Sequence, residues 1–173
     1  MALPQIDVAR ARAFVVAHGN AVDAARLEGI LGRHQPDRAV VRALEGLQNP
    51  DGGFPASVLT WGGGEEPGAG ESSVAATCTV LAWLRDIPPL AGSPMAGRAV
   101  SFLRRSQQVD GSWLEAARPG IPSAEAHPAA QARLTALAAY TLQVMEPDHP
   151  DPIARGVKWL RAALAGGPDR ACS

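Results

Sequence analysis

The sequence predicts an all-α fold of layered helical hairpins, and three observations carry that prediction. The 18 Gly and 15 Pro fall in patches between long stretches rich in Ala, Leu, Arg and Val, so they punctuate helices instead of spreading through a disordered chain. Period-2 runs of Val, Ile, Thr and aromatics, the mark of strands, are almost absent. The segment Gln48-Asn49-Pro50-Asp51-Gly52-Gly53-Phe54 returns, position for position, as Gln107-Gln108-Val109-Asp110-Gly111-Ser112-Trp113, and a recurring unit of this kind signals stacked repeats.

Seven helical stretches follow in order. The first runs from Ile6 to His18 with Val8, Ala11, Phe14 and Val15 on one face, and Gly19-Asn20 ends it. The second covers Val22 to Arg33, striped by Ala24, Leu27, Ile30 and Leu31. The third opens at Pro36-Asp37, because proline and an acid suit a first turn, and carries Val40, Val41, Leu44 and Leu47. After a breaker-rich stretch from Asn49 to Gly70, the fourth spans Ser72 to Leu84 and is apolar almost all round, as a helix buried on most sides must be. The fifth, Pro94 to Gln107, is amphipathic through Ala99, Val100, Phe102 and Leu103. The sixth, Ala124 to Met145, reads as buried, and the seventh, Pro152 to Leu164, shows Val157, Trp159 and Leu160 on a polar surface. Amphipathic helices alternating with apolar ones imply an outer and an inner layer. Arg155-Gly156-Val157-Lys158-Trp159-Leu160 echoes Arg98-Ala99-Val100-Ser101-Phe102-Leu103, a third and partial copy.

Composition narrows the function classes. One chain of 173 residues suits a single domain, taken here as 1–173. With 16 basic and 17 acidic residues there is no charge excess for nucleic acid to exploit. No stretch approaches the ~18–20 apolar residues of a membrane span. The N-terminal MALPQIDVARARAF has no separate apolar core or cleavage site, so no signal peptide is read. Cys78 and Cys172 are expected as free thiols, which suits a reducing, cytoplasmic setting.

The string Arg98-Ala99-x-x-Phe102-Leu103-x-x-x-Gln107-x-x-Asp110-Gly111-Ser112-Trp113 resembles the QW repeat of the squalene and oxidosqualene cyclases. Those enzymes share an α/α-toroid with the protein prenyltransferase β subunits, whose version of the repeat ends Gly-Gly-Phe, as the Gln48–Phe54 copy does. Complement-like thioester domains carry a similar repeat, but their Gly-Cys-Gly-Glu-Gln motif is missing here. The resemblance covers residues 36–164 and implies an α/α-toroid-like stack of about three hairpins, a half or partial toroid, with 1–35 as a helical cap and 165–173 as a loose tail. A complete toroid has about six hairpins, so a partial one leaves apolar surface for a second copy to cover, and a homodimer is expected.

Within each copy the Asp-Gly pair builds a tight turn, the Gln amide serves a neighbouring helix, and the aromatic packs beneath. Gln48, Asp51, Gly52, Gly53, Gln107, Asp110 and Gly111 are therefore structural. Chemistry in the resembled families sits where inner helices begin. The Asp-x-Asp-Asp acid of the cyclases is absent, and Glu71-Ser72-Ser73 occupies the matching place. The zinc set of the prenyltransferases needs Cys where Ser73 stands, so neither metal nor cofactor is expected.

A looser constellation remains. Glu71 and His127 are separated by nearly the repeat offset, and can open adjacent inner helices as an acid–base pair. Glu71 reads equally as an acid favoured before a helix, and His127 as a turn residue before Pro128. Trp61, Glu65, Glu66 and Glu71 populate the first long loop; Trp113, Glu115, Glu125 and His127 populate the second. Trp61 and Trp113 are candidate walls around a substrate. Trp83 and Tyr140, at matching positions on inner helices, are core residues or aromatic cavity walls. The leading expectation is a small, metal-independent cyclase or isomerase acting on an apolar, polyene or isoprenoid-derived substrate, with Glu71 and His127 as catalytic residues. The competing expectation is a non-catalytic module that holds a hydrophobic ligand or a protein partner.

Overall fold

The computed structural model describes residues 7–32, 35–36, 38–60, 70–115 and 128–165. Eight α-helices lie among them: α1 (Val8–His18), α2 (Ala21–Ile30), α3 (Arg38–Leu47), α4 (Val74–Asp86), α5 (Pro88–Ala91), α6 (Pro94–Arg105), α7 (Pro128–Met145) and α8 (Pro150–Ala165). The all-α expectation holds. None of these helices is long and apolar enough to cross a membrane. The expected tail beyond Ala165, with Cys172, lies outside the described residues.

Local chemistry sets the boundaries. Asp7 caps α1 by accepting from the Arg10 amide, and Asn20 with Asp23 closes a capping box at the start of α2. Ser93 caps α6 ahead of Pro94, a residue that suits a first helical turn. Several expected boundaries shift: α2 ends at Ile30, α6 at Arg105, and α8 opens at Pro150. The helix expected from Ser72 begins at Val74, because Ser72 and Ser73 pair as a two-residue strand, β2, with β1 (Phe54–Pro55). That antiparallel pair sets Phe54 opposite Ser73 and turns Ser73 into the N-cap of α4. The short α5 was not expected; its Pro88-Pro89 start breaks the run between α4 and α6.

Helix α4 is the hub. It packs against α2, α5, α6, α7, β1 and the 3-10 turn Ala56–Thr60, and seven of its thirteen residues are buried. That environment explains its all-round apolarity. Helix α7 packs on α4, α6 and α8. The core runs from Val22 and Leu44 through Phe54, Leu81, Leu84 and Leu103 to Trp113 and Leu142. Helix α1 buries no residue, and Phe14 stays exposed, stacked on His18. The α1–α2 hairpin is tied in by charge: Arg12 makes a two-pronged contact with Glu28, and Arg26 holds Asp86 while lying over the Trp83 ring.

Candidate functional site

The two Gln-x-x-Asp-Gly corners adopt one construction. In the first, the Gln48 side-chain amide donates to the carbonyls of Gly52 and Met95, both at 2.9 Å, while the Arg98 guanidinium donates to Gln48 Oε1. In the second, the Gln107 amide donates to Gly111 and Pro152, at 2.9 and 2.8 Å, and Arg155 donates to Gln107 Oε1. Asp51 and Asp110 each accept an amide N–H two residues on, at 2.9 Å. Gly52 and Gly111 have φ of +87° and +96°, and a Cβ on either would strike the Arg98 or Arg155 carbonyl. Each aromatic plugs the layer below. The Phe54 and Trp113 backbone amides donate to Thr77 and Thr135, and the buried Trp113 indole donates to the Leu103 carbonyl at 2.8 Å. The corners are staples that hold α3 to α6 and α6 to α8.

Two parts of this construction carried no role in the sequence reading. Arg98 and Arg155 complete the staple, and their signal was that both open a copy of the repeat, Arg155 in the partial third one. Thr77 and Thr135, which also stand at matching positions, seat the aromatics and were unassigned.

Glu115 is the best-placed acid. Its carboxylate accepts from the amides of Val74 and Ala75, at 3.1 and 2.8 Å, and from the Ser73 hydroxyl at 3.0 Å. It thus satisfies the free donors that begin α4 and sits at the positive end of that helix. This acid is fully engaged as a cap.

The remaining predicted residues scatter. Glu71 is exposed immediately before β2. Its intended partner His127 lies outside the described residues, as do Trp61, Glu65, Glu66 and Glu125. Trp113 is 0% exposed, so it anchors the core and cannot touch a substrate; this corrects its assignment as a substrate wall. Trp83 and Tyr140, expected at matching positions, do not share one: the equivalent seats at Thr77 and Thr135 pair Tyr140 with the exposed Ala82 and Trp83 with Thr141. Trp83 is half-buried beneath Arg26 because α2 packs on that side of α4, whereas Tyr140 is 62% exposed because no described helix covers that side of α7. Tyr140 is therefore not the core residue its spacing suggested.

Three depressions of the described surface bear on a site. A shallow dimple of about 20 Å³ between α4 and α7 is lined by Leu81, Ala82, Arg85, Tyr140, Thr141 and Val144. A polar cleft lies over α6 between Asp51, Arg98, Arg105 and Glu146, but the Arg105 guanidinium is held there by the Asp51 carbonyl. A groove of about 270 Å³ separates α2 from α3, with Ala21, Ala24, Ala25, Pro36, Val40 and Ile87 on its walls. None of the three is the enclosed apolar pocket a small-molecule site uses: the cleft over α6, about 610 Å³, has the volume of ~300–1,000 Å³ but is open and lined by charged groups, and the other two are smaller.

Electrostatics adds no reactive group among the described residues. Burial pushes the Cys78 thiol up to about 12, which keeps it protonated and inert. Hydrogen bonds from the Ser112 amide and hydroxyl and from the Trp159 indole hold the Asp110 carboxyl below its ordinary range. No group of three His, Cys, Asp or Glu poised for a metal occurs among the described residues. No family model, curated protein or solved structure matches this chain.

Proposed function

We propose that the chain is a partial α/α-toroid, related in construction to the QW-repeat families, that serves as a non-catalytic interaction module and closes on a second copy of itself. The supporting observation is the apolar stripe Leu137, Tyr140 and Val144, exposed along one face of α7 beside Ala82 of α4. Residues spaced i, i+3 and i+7 form one helical face, and such a face left in water is the usual sign of a helix awaiting another helix. The dimple beside Tyr140 is far too small for an isoprenoid, which favours a protein surface over a small ligand. A net charge of -1 opposes self-association only weakly.

The exposure of Glu71, and the commitment of Glu115 to capping α4, favour this reading over an acid–base cyclase. Sedimentation equilibrium tests it. The expected result is a dimer at micromolar concentration that Tyr140→Lys and Leu137→Lys each convert to monomer without loss of helicity. A wild-type chain that remains monomeric at about 100 μM, well above the Kd of a stable interface, overturns it.

A further inference from the structure

The groove between α2 and α3 stands where the repeat would seat a third staple. In the two complete units, an outer helix runs into a corner, and the corner's aromatic is buried against the inner helix that follows. The N-terminal hairpin, which carries no copy of the motif, lacks this part: α1 passes straight into α2 through Gly19 and Asn20. The receiving side is nevertheless present. Pro36, Met95 and Pro152 hold one register position in successive units, and the Met95 and Pro152 carbonyls take the Gln48 and Gln107 amides. Val40 holds the register position of Ala99 and of Gly156, and Gly156 approaches the Trp113 ring so closely that a Cβ there would lie 2.9 Å from it. Pro36 and Val40 both line the groove, facing the alanines of α2.

We propose that this groove is an open seat for a Gln-x-x-Asp-Gly-aromatic corner supplied by a partner polypeptide, its aromatic ring entering between Ala24, Ala25 and Val40 and its Gln amide meeting the Pro36 carbonyl. The groove continues a series of two interfaces already built into the molecule, which is what identifies the occupant. Its volume of about 270 Å³ leaves room for an aromatic side chain. Glu28 on its wall is already engaged by Arg12, so the chemistry selects a neutral ring over a cation. A second folded copy cannot be the donor, because Phe54 and Trp113 are fully buried in their own seats. The groove shares no lining residue with the α7 face, so the inference stands apart from the dimer reading.

The test titrates the isotope-labelled full chain with the synthetic peptide Gln-Gln-Val-Asp-Gly-Ser-Trp and follows amide resonances. Saturable shifts are expected at Ala21, Ala24, Ala25 and Val40, with affinity falling at least about tenfold when the peptide's Trp is replaced by Ala. Ala24→Trp and Ala21→Trp, which fill the groove from the chain itself, are expected to abolish the shifts. Ala21 is exposed at the first position of α2, so its variant keeps the test informative if Ala24→Trp fails to fold. Three results would each overturn the proposal: no saturation at millimolar peptide, shifts confined to the seats around Thr77 and Thr135, or unchanged binding in both filled variants.

Discussion

The side-chain amide of Gln107 donates to the carbonyl of Pro152 at 2.8 Å, joining the end of α6 to the start of α8 across a long stretch of sequence. Gln48 and Met95 repeat that relationship at 2.9 Å. A local turn motif thereby becomes a long-range fastening, and the stack depends on it.

Removing the fastening should loosen both units alike. Gln48→Ala and Gln107→Ala are each expected to destabilise by about 1–3 kcal/mol, since each leaves two carbonyls and one guanidinium without the amide they share. Urea denaturation measures this. A double-mutant cycle of Gln107 with Arg155 should return under about 1 kcal/mol, because that contact is exposed. A loss at only one corner would break the equivalence of the two units.

Glycine substitutions should separate two kinds of position by sign. Gly111→Ala forces a positive φ on a Cβ that would lie 2.6 Å from the Arg155 carbonyl, so a loss of at least about 2 kcal/mol is expected. Gly97, inside α6, has open space around its missing Cβ and an ordinary helical backbone. Gly97→Ala should therefore stabilise by about 0.5–1 kcal/mol. Thermal midpoints on the two variants decide it, and equal shifts in one direction would contradict the account.

Acid should weaken the second corner selectively. Hydrogen bonding to Ser112 and Trp159 lowers the Asp110 pKa in the folded state, so the native chain binds that proton less readily than the unfolded one. The associated stability is complete above the unfolded pKa, about 4, and drains away as pH falls through the lower folded value. Because Asp110 is exposed, the contribution is expected to stay below about 1 kcal/mol. Urea midpoints at pH 7 and pH 3 should converge between wild type and Asp110→Ala; a constant gap would remove this carboxylate from the pH response.

Much of the turn construction is legible in the sequence. Asp51, Gly52, Asp110 and Gly111 are readable because a turn's chemistry is local: a positive φ needs glycine, and a short carboxylate reaches only nearby amides, whereas the particular carbonyls that Gln48 and Gln107 reach, Met95 and Pro152, are not. Glu115 illustrates the opposite case. It stood among acids of a long loop, and nothing nearby in sequence announces that its carboxylate crosses to the amides of Val74 and Ala75. Trp83 and Tyr140 show the same limit. Their spacing suggests one address, but the seats at Thr77 and Thr135 set a register one residue away, which pairs Tyr140 with exposed Ala82, and α2 covers only Trp83.

The chain's own order of residues determined that it is helical, roughly where most of its helices lie, and that two corners are copies of one device. Those are matters of backbone preference and short-range hydrogen bonding, which a few neighbouring side chains dictate. Only the tertiary structure decided that Trp113 is an anchor with no solvent face, that Glu115 is a cap, and that the face of α7 and the α2–α3 groove are left open. Burial is a property of packed neighbours distant in sequence, and each of these four outcomes turned on whether such a neighbour was there.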